Sequence, residues 1–280
     1  METMTIDRQT PSGALNPAGG LPTLSPSRAG DYRTCPRLYR FRVVEGLPEQ
    51  PDESAARGTL VHAVLERLFD VAATERSLQR ALDLVGPAWA DMCAVDPELQ
   101  QLGSPDGWLC STEQALRGYF ALEDPTRYQP VGRELRLEAE IDGRLAIRGI
   151  IDRLDEAPDG RLRVVDYKTG RCPPPGRETA AMFQLKFYAL LVWVVFGKVP
   201  SVLRLMYLGD GVILEHVPDE RELIALRRLL LALREAVDRA HDDDDWPASP
   251  GGRCRWCSFV ARCPSGSAYL RRQDLHIPSG

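Results

Sequence analysis

The chain has 280 residues, 44% of them hydrophobic and 27% charged, with a formal net charge of -5. That is the balance of a globular protein with room for one large domain, or one domain with a helical insertion. No run approaches the roughly 20 apolar residues of a membrane span. The opening METMTIDRQTPSGALNPAGG lacks the apolar core of a signal peptide, so the cytoplasm is the expected compartment and a membrane is not an expected partner. The acidic net charge does not by itself announce a nucleic-acid binder, but its distribution is uneven. Asp242, Asp243, Asp244 and Asp245 form a run best read as a solvated linker. Arg28, Arg33, Arg37, Arg40 and Arg42, and again Arg253, Arg255 and Arg262, form basic clusters beside cysteines. Such patches can hold phosphates, although an ordinary Arg-rich surface accounts for them equally well. Seven cysteines in a chain without a secretion signal argue for metal binding or burial over disulfides.

Residues 1–22 read as a flexible tail and residues 23–280 as the domain. Residues 25–47 begin with Ser and Pro, and Ser25 or Ser27 is placed to cap a short helix. Leu60, Val61, Val64, Leu65, Leu68 and Phe69 form one stripe, which predicts a helix over 54–73. Residues 71–130 carry no chemical motif and read as a helical insertion, broken by Pro97 and by the turn at 103–107. From about 131 the period changes. Leu135, Leu137, Ala139 and Ile141 alternate with charged residues, a half-buried strand. Asp142-Gly143 signals a hairpin, followed by a strand from Ile147 to Leu154. Pro158-Asp159-Gly160 signals a second turn, followed by a strand from Leu162 to Lys168. Residues 178–197 form a helix that is apolar all round and is expected to be buried. A strand at 201–208 and an amphipathic helix at 219–240 follow.

A symmetric hairpin centred on Asp159 sets residue i opposite residue 318 − i, so Asp152 falls opposite Asp166. Like charges in that position destabilise a sheet, and a divalent cation would offset the repulsion. Oxygen ligands favour magnesium or manganese. Asp166 and Lys168 share a strand face, while Val165 and Tyr167 point to the opposite face, toward a core. Two acids and a lysine meet the needs of phosphodiester hydrolysis: the acids hold a metal that activates water, and the lysine stabilises developing charge. A bare D-x-K is far more often a surface strand. The apolar neighbours Val164 and Val165 and the acid across the hairpin lower that reading here.

Cys254, Cys257 and Cys263 have the spacing C-x2-C-x5-C, and Cys35 is the choice for a fourth ligand; Cys35 and Cys263 each precede a proline. Zinc and an iron–sulfur cluster are near even on spacing alone. Cys93, Cys110 and Cys172 stand apart as isolated thiols.

The run GIIDR, a hairpin, then VVDYKTG resembles the PD-(D/E)XK nuclease superfamily. It is most similar to the RecB-like exonucleases, which include nuclease domains of recombination helicase–nucleases and the CRISPR-associated exonucleases. GTLVHAVLERLF at 58–69 and QLKFYALL at 184–191 fit helices of that group. The resemblance implies an α/β, restriction-endonuclease-like core: a mixed sheet flanked by helices, with a helical insertion and a four-cysteine cap from residues 35 and 254–263. It implies His62, Asp152 and Asp166 as metal ligands, Lys168 as the catalytic lysine, and Gln184 and Tyr188 as helpers at the scissile strand. Glu134 is a weaker candidate. The cysteine pattern resembles the 4Fe–4S staple of this group, with zinc as the alternative. Tyr32, Tyr39, Phe41, Trp256 and Phe259 either border a single-stranded DNA path or pack around the cluster.

The reading that follows is a Mg2+- or Mn2+-dependent DNA exonuclease acting on single-stranded ends, in repair, recombination or CRISPR-type processing. Two alternatives stand beside it: a non-catalytic DNA-binding or helicase-partner module of the same fold, and a zinc-stapled interaction protein. No G-x-x-x-x-G-K-[ST] loop occurs, so unwinding would fall to a helicase, CRISPR or recombination partner.

Overall fold

The computed structural model describes residues 23–49, 52–102 and 105–274; the expected tail at 1–22 lies outside them. Six strands form one mixed sheet: β1 (Thr23–Leu24), β2 (Gly132–Ile141), β3 (Leu145–Glu156), β4 (Leu162–Lys168), β5 (Val202–Tyr207) and β6 (Val212–His216). The order is β1-β3-β4-β5-β6, with β2 also paired to β3. The β3–β4 hairpin sets Arg153 opposite Val165 and Asp155 opposite Arg163, the register counted from the Asp159 turn. β4 and β5 are parallel, and the crossover that parallel strands require is α7 (Thr179–Phe196). β6 is not anticipated by the sequence reading; it returns antiparallel to β5 through a turn at Gly211, whose φ is +64°.

Helices cover both faces of the sheet. On one face α1 (Pro26–Thr34), α7 and α8 (Glu220–Asp242) close over a core that includes Ile147, Val164, Leu185, Leu205 and Leu230. Ser25 caps α1, its hydroxyl accepting from the Arg28 N–H, and Asp219 caps α8. On the other face lie α3 (Glu53–Leu68), α4 (Leu78–Asp83), α5 (Val85–Val95) and α6 (Pro105–Leu122), packed on Val165, Tyr167 and Met206. Residues 71–130 therefore build the second apolar layer together with α3. At Gly118 in α6 an added Cβ would lie 1.9 Å from the Leu208 carbonyl oxygen, so the close approach of this layer to the end of β5 requires glycine.

The expectation that α7 is buried along its whole length is corrected by its last turn. Leu185 and Phe187–Val192 are buried, but Val194, Val195 and Phe196 are 43%, 38% and 37% exposed. That turn lies beyond the cover of its neighbours, and the helix stops at Gly197 in a left-handed conformation. By length and composition α7 could cross a bilayer; here it is the crossover helix, and its middle is core.

The two ends of the described chain meet in a cap. α2 (Pro36–Tyr39) follows Cys35, and α9 (Pro264–Asp274) follows Cys263. Tyr39 stacks on Trp246 with centroids 5.8 Å apart, and Arg37 donates to the Trp246 carbonyl oxygen at 2.8 Å.

Candidate functional site

The sheet ladder opens around Asp152. The β2–β3 pairing runs Gly132 with Leu154 and Arg133 with Arg153, then resumes at Leu135 with Ile151, passing over Glu134 and Asp152. The β3–β4 ladder ends at Arg153 with Val165, one step before Asp152 and Asp166. Freed from ladder bonds, Glu134 adopts a left-handed φ of +41°, a strained conformation for a residue with a Cβ. The Tyr167 N–H donates instead to Asp152 Oδ2 at 2.7 Å.

Asp152 Oδ1 and Glu134 Oε1 each lie 3.5 Å from His62 Nδ1. The three donor atoms fall within 4.8 Å of one another. His62 comes from α3, and its Nε2 is 3.1 Å from the Tyr167 carbonyl oxygen. A carbonyl only accepts, so Nε2 carries the proton. With the ring protonated, Nδ1 also carries a proton, which it turns toward the two carboxylates 3.5 Å away; an ion bound there would take that proton's place. Burial alone would lower the His62 pKa, but the hydrogen bond to Glu134 and the charges of Asp152 and Asp166 push it up to about 9. Burial and the neighbouring Asp166 push Asp152 up to about 8, against the pull of His62. One imidazole nitrogen and two carboxylate oxygens, converging where like charges crowd, fit a divalent cation.

Asp166 is 1% exposed and faces Lys168, whose Nζ is 2.7 Å from Asp166 Oδ2. Burial raises the Asp166 pKa, and the ammonium opposes the rise. Lys168 Nζ also donates to Gln184 Oε1 at 2.8 Å, and Gln184 Nε2 donates to the Tyr188 hydroxyl at 2.7 Å. The structure thus joins Asp166, Lys168, Gln184 and Tyr188 in one chain of polar contacts beside the His62–Glu134–Asp152 group. Tyr188 reaches this position because Gly149 leaves room: a Cβ there would lie 2.9 Å from the Tyr188 ring. Glu134, the weaker candidate in the sequence, sits in the donor group itself. A three-residue turn centred on Gly143 sets it level with Asp152, in the register of the Leu135–Ile151 and Gly132–Leu154 pairs, whereas a two-residue Asp142-Gly143 turn would set it level with Ile151.

Two clefts of about 560 and 550 Å³ share Pro26, Ser27 and Gln184. Arg33 and Arg253 line the first; Arg136, Arg148, Glu138 and Tyr188 line the second. The Arg33 guanidinium lies 4.3 Å from the centroid of Phe183. Asp31, on the rim, is paired to Arg42 at 2.6 Å.

Cys35, Cys254, Cys257 and Cys263 line one cavity of about 310 Å³ in the cap. Backbone N–H groups point at three of the sulfurs: Ser249 to Cys35 at 3.3 Å, Gly251 to Cys254 at 3.5 Å, and Gly266 to Cys263 at 3.3 Å. Burial raises the Cys257 thiol, and Cys254, Cys263 and Cys35 raise it further against a bond from the Phe259 N–H. Of the other thiols, Cys93 is buried, Cys172 half-buried and Cys110 exposed. Tyr39 is spent in the aromatic packing with Trp246, and Phe41 packs against Phe259 at 5.4 Å. Trp256 is 82% exposed.

A mixed sheet between two helical layers, with acids and a lysine gathered where its central strands part, is a restriction-endonuclease-like nuclease fold. The chain belongs to the PD-(D/E)XK nuclease superfamily, whose family model matches residues 23–264. It is 28% identical over 201 residues to the Gene 69 protein of Mycobacterium phage D29, covering 63% of this chain and 71% of that one. It is 29% identical over 144 residues to a protein of Streptococcus mutans named as a subunit of an ATP-dependent helicase/deoxyribonuclease. That match covers 48% of this chain but 13% of the relative. Among solved structures, one from Eubacterium rectale, named as a candidate exonuclease, shares the fold: TM-score 0.52, 12% identity, covering 80% of this chain and 83% of that one.

Proposed function

We propose that this nuclease hydrolyses phosphodiester bonds of DNA from single-stranded ends with Mg2+ or Mn2+. The observation that carries the reading is Asp152, fixed by the Tyr167 N–H and facing Nδ1 of His62 and Glu134. His62, Glu134 and Asp152 would hold the ion, with Asp166 beside them. Bound there, the ion supplies Lewis-acid polarisation of the phosphate and a water of lowered pKa. Lys168, oriented by Asp166 and Gln184, places its ammonium beside the same acids to stabilise charge developing on the phosphate. Gln184 and Tyr188 border the paired clefts and orient the strand. The Streptococcus mutans relative is named a deoxyribonuclease, which supports DNA as the substrate. The Arg33–Phe183 pair supports a single strand, because unpaired bases stack on guanidinium and aromatic planes. The same relative's helicase name supports a helicase partner, and a cytoplasmic site of action fits DNA work of this kind.

For the cap, the lone Cys35 joined in one cavity to the C-x2-C-x5-C run of Cys254, Cys257 and Cys263 supports a 4Fe–4S cluster, with zinc as the alternative. On this reading residues 23–280 are one nuclease domain with a stapled cap.

The test is digestion of end-labelled single- and double-stranded DNA with and without Mn2+, beside Lys168→Ala. Metal-dependent shortening of single strands from an end, lost in the variant, is expected. Binding without cleavage by the wild-type protein would leave a helicase-partner module instead. Anaerobic purification reports on the cap: a brown protein carries the cluster, a colourless one containing zinc does not.

A further inference from the structure

We infer that residues 71–130 act in the reaction: through Arg153, this helical layer holds Tyr167 as the positioning residue of the metal-facing donors. The inference rests on the metal-site reading above. Tyr167 lies between Asp166 and Lys168, and three of its groups are engaged at once. Its N–H holds Asp152 Oδ2 at 2.7 Å, and its carbonyl oxygen holds His62 Nε2 at 3.1 Å. Its hydroxyl reaches into the helical layer, where it accepts from Arg153 at 3.0 Å.

Arg153 is 1% exposed and is gripped from the helical layer. It donates to both oxygens of Glu123, at 2.5 and 2.9 Å, and to Asp155 at 3.1 Å. Glu123 directly follows α6, also accepts from the Tyr119 hydroxyl at 3.1 Å, and faces Arg204 at 3.4 Å. The rings of Tyr119 and His62 meet the Tyr167 ring edge-on, at 5.8 and 5.9 Å. Burying such an ion pair gains little stability, since desolvation offsets the attraction. What it supplies is direction. A guanidinium held by both Glu123 oxygens fixes the phenol, the phenol fixes the peptide at 167, and that peptide places the His62 ring and the Asp152 carboxylate. Partners one shell away from a metal typically change its affinity 10–100-fold when removed.

The test uses the full chain without DNA. Tyr167→Phe deletes one hydroxyl and keeps the ring; Glu123→Gln removes the charge that grips Arg153 and carries the same test if the first variant fails to fold. Mn2+ affinity is read by calorimetry, and a separate digestion supplies kcat and KM. We expect about 10-fold weaker Mn2+ binding and a lower kcat with KM for DNA unchanged. Arg67→Ala, which breaks the exposed Arg67–Asp91 pair in the same layer, should leave all three readings alone. Normal Mn2+ affinity and an unaltered kcat in folded Tyr167→Phe would overturn the inference while the metal site stands. A wild-type protein that takes up no Mn2+ would overturn the metal-site reading and this inference with it.

Discussion

The oxygen–nitrogen pocket and the thiol cavity are built in opposite ways. Each donor of the first comes from a long element, α3, β2 or β3, and two of the three are anchored to one peptide, that of Tyr167. The cap places its four sulfurs on short turns from both ends of the described chain, with N–H groups as their immediate supports. The pocket is therefore organised before an ion arrives, whereas the cavity, on the stapled-cap proposal, depends on the group it would enclose. Losing the group at the first should cost chemistry; losing it at the second should cost fold.

The largest expected effect is Lys168→Ala, which should slow cleavage about 10²–10³-fold with the melting temperature unchanged. An equal fall in stability would break the contrast. Next is Cys35→Ser. A staple between residues 35 and 254 closes a loop of about 220 residues, and by analogy with a disulfide its loss should destabilise the protein by on the order of 5 kcal/mol. Denaturant unfolding reads this, and the fraction still folded should cleave at the wild-type rate.

A third expectation concerns pH in the metal-free protein. Asp152 sits at about 8, above its usual 3.8, so the folded state keeps a proton that the unfolded chain has released. His62 at about 9 does the same above 6.5. Both contributions are full at low pH and are lost as pH rises, between about 4 and 8 for the acid and between about 6.5 and 9 for the imidazole. Melting temperature should fall across that window, and Mn2+ should raise it more at pH 8 than at pH 5, because binding must displace those protons. Asp152→Asn should flatten the profile. The smallest effect is Arg33→Ala: a few-fold rise in KM for single strands, with the salt dependence of binding reduced by about one phosphate contact.

Much of the pocket is legible in the sequence because strand pairing is arithmetic. One turn residue fixes the β3–β4 register, and the face rule sends Tyr167 toward the helical layer and Asp166 toward Lys168. The same arithmetic centred on Gly143 would raise Glu134 to a full ligand candidate. What escapes the sequence is tertiary. Tyr119 and Glu123 are one helical turn apart, but nothing local tells that they meet Arg153, about 30 residues further on, which reads as an ordinary surface residue. The exposed end of α7 escapes for a related reason: apolar composition gives the wish for burial, not the length of the cover. β6, five residues long, offers too short a period to stand out.

The backbone at Glu134 carries a final consequence. At φ +41° glycine would be at ease, and any other side chain is held against its preference. A search for sturdier variants would therefore favour Glu134→Gly, and would be rewarded with a calmer strand that has one oxygen fewer for its ion. Selection for heat resistance and selection for turnover should diverge at this residue.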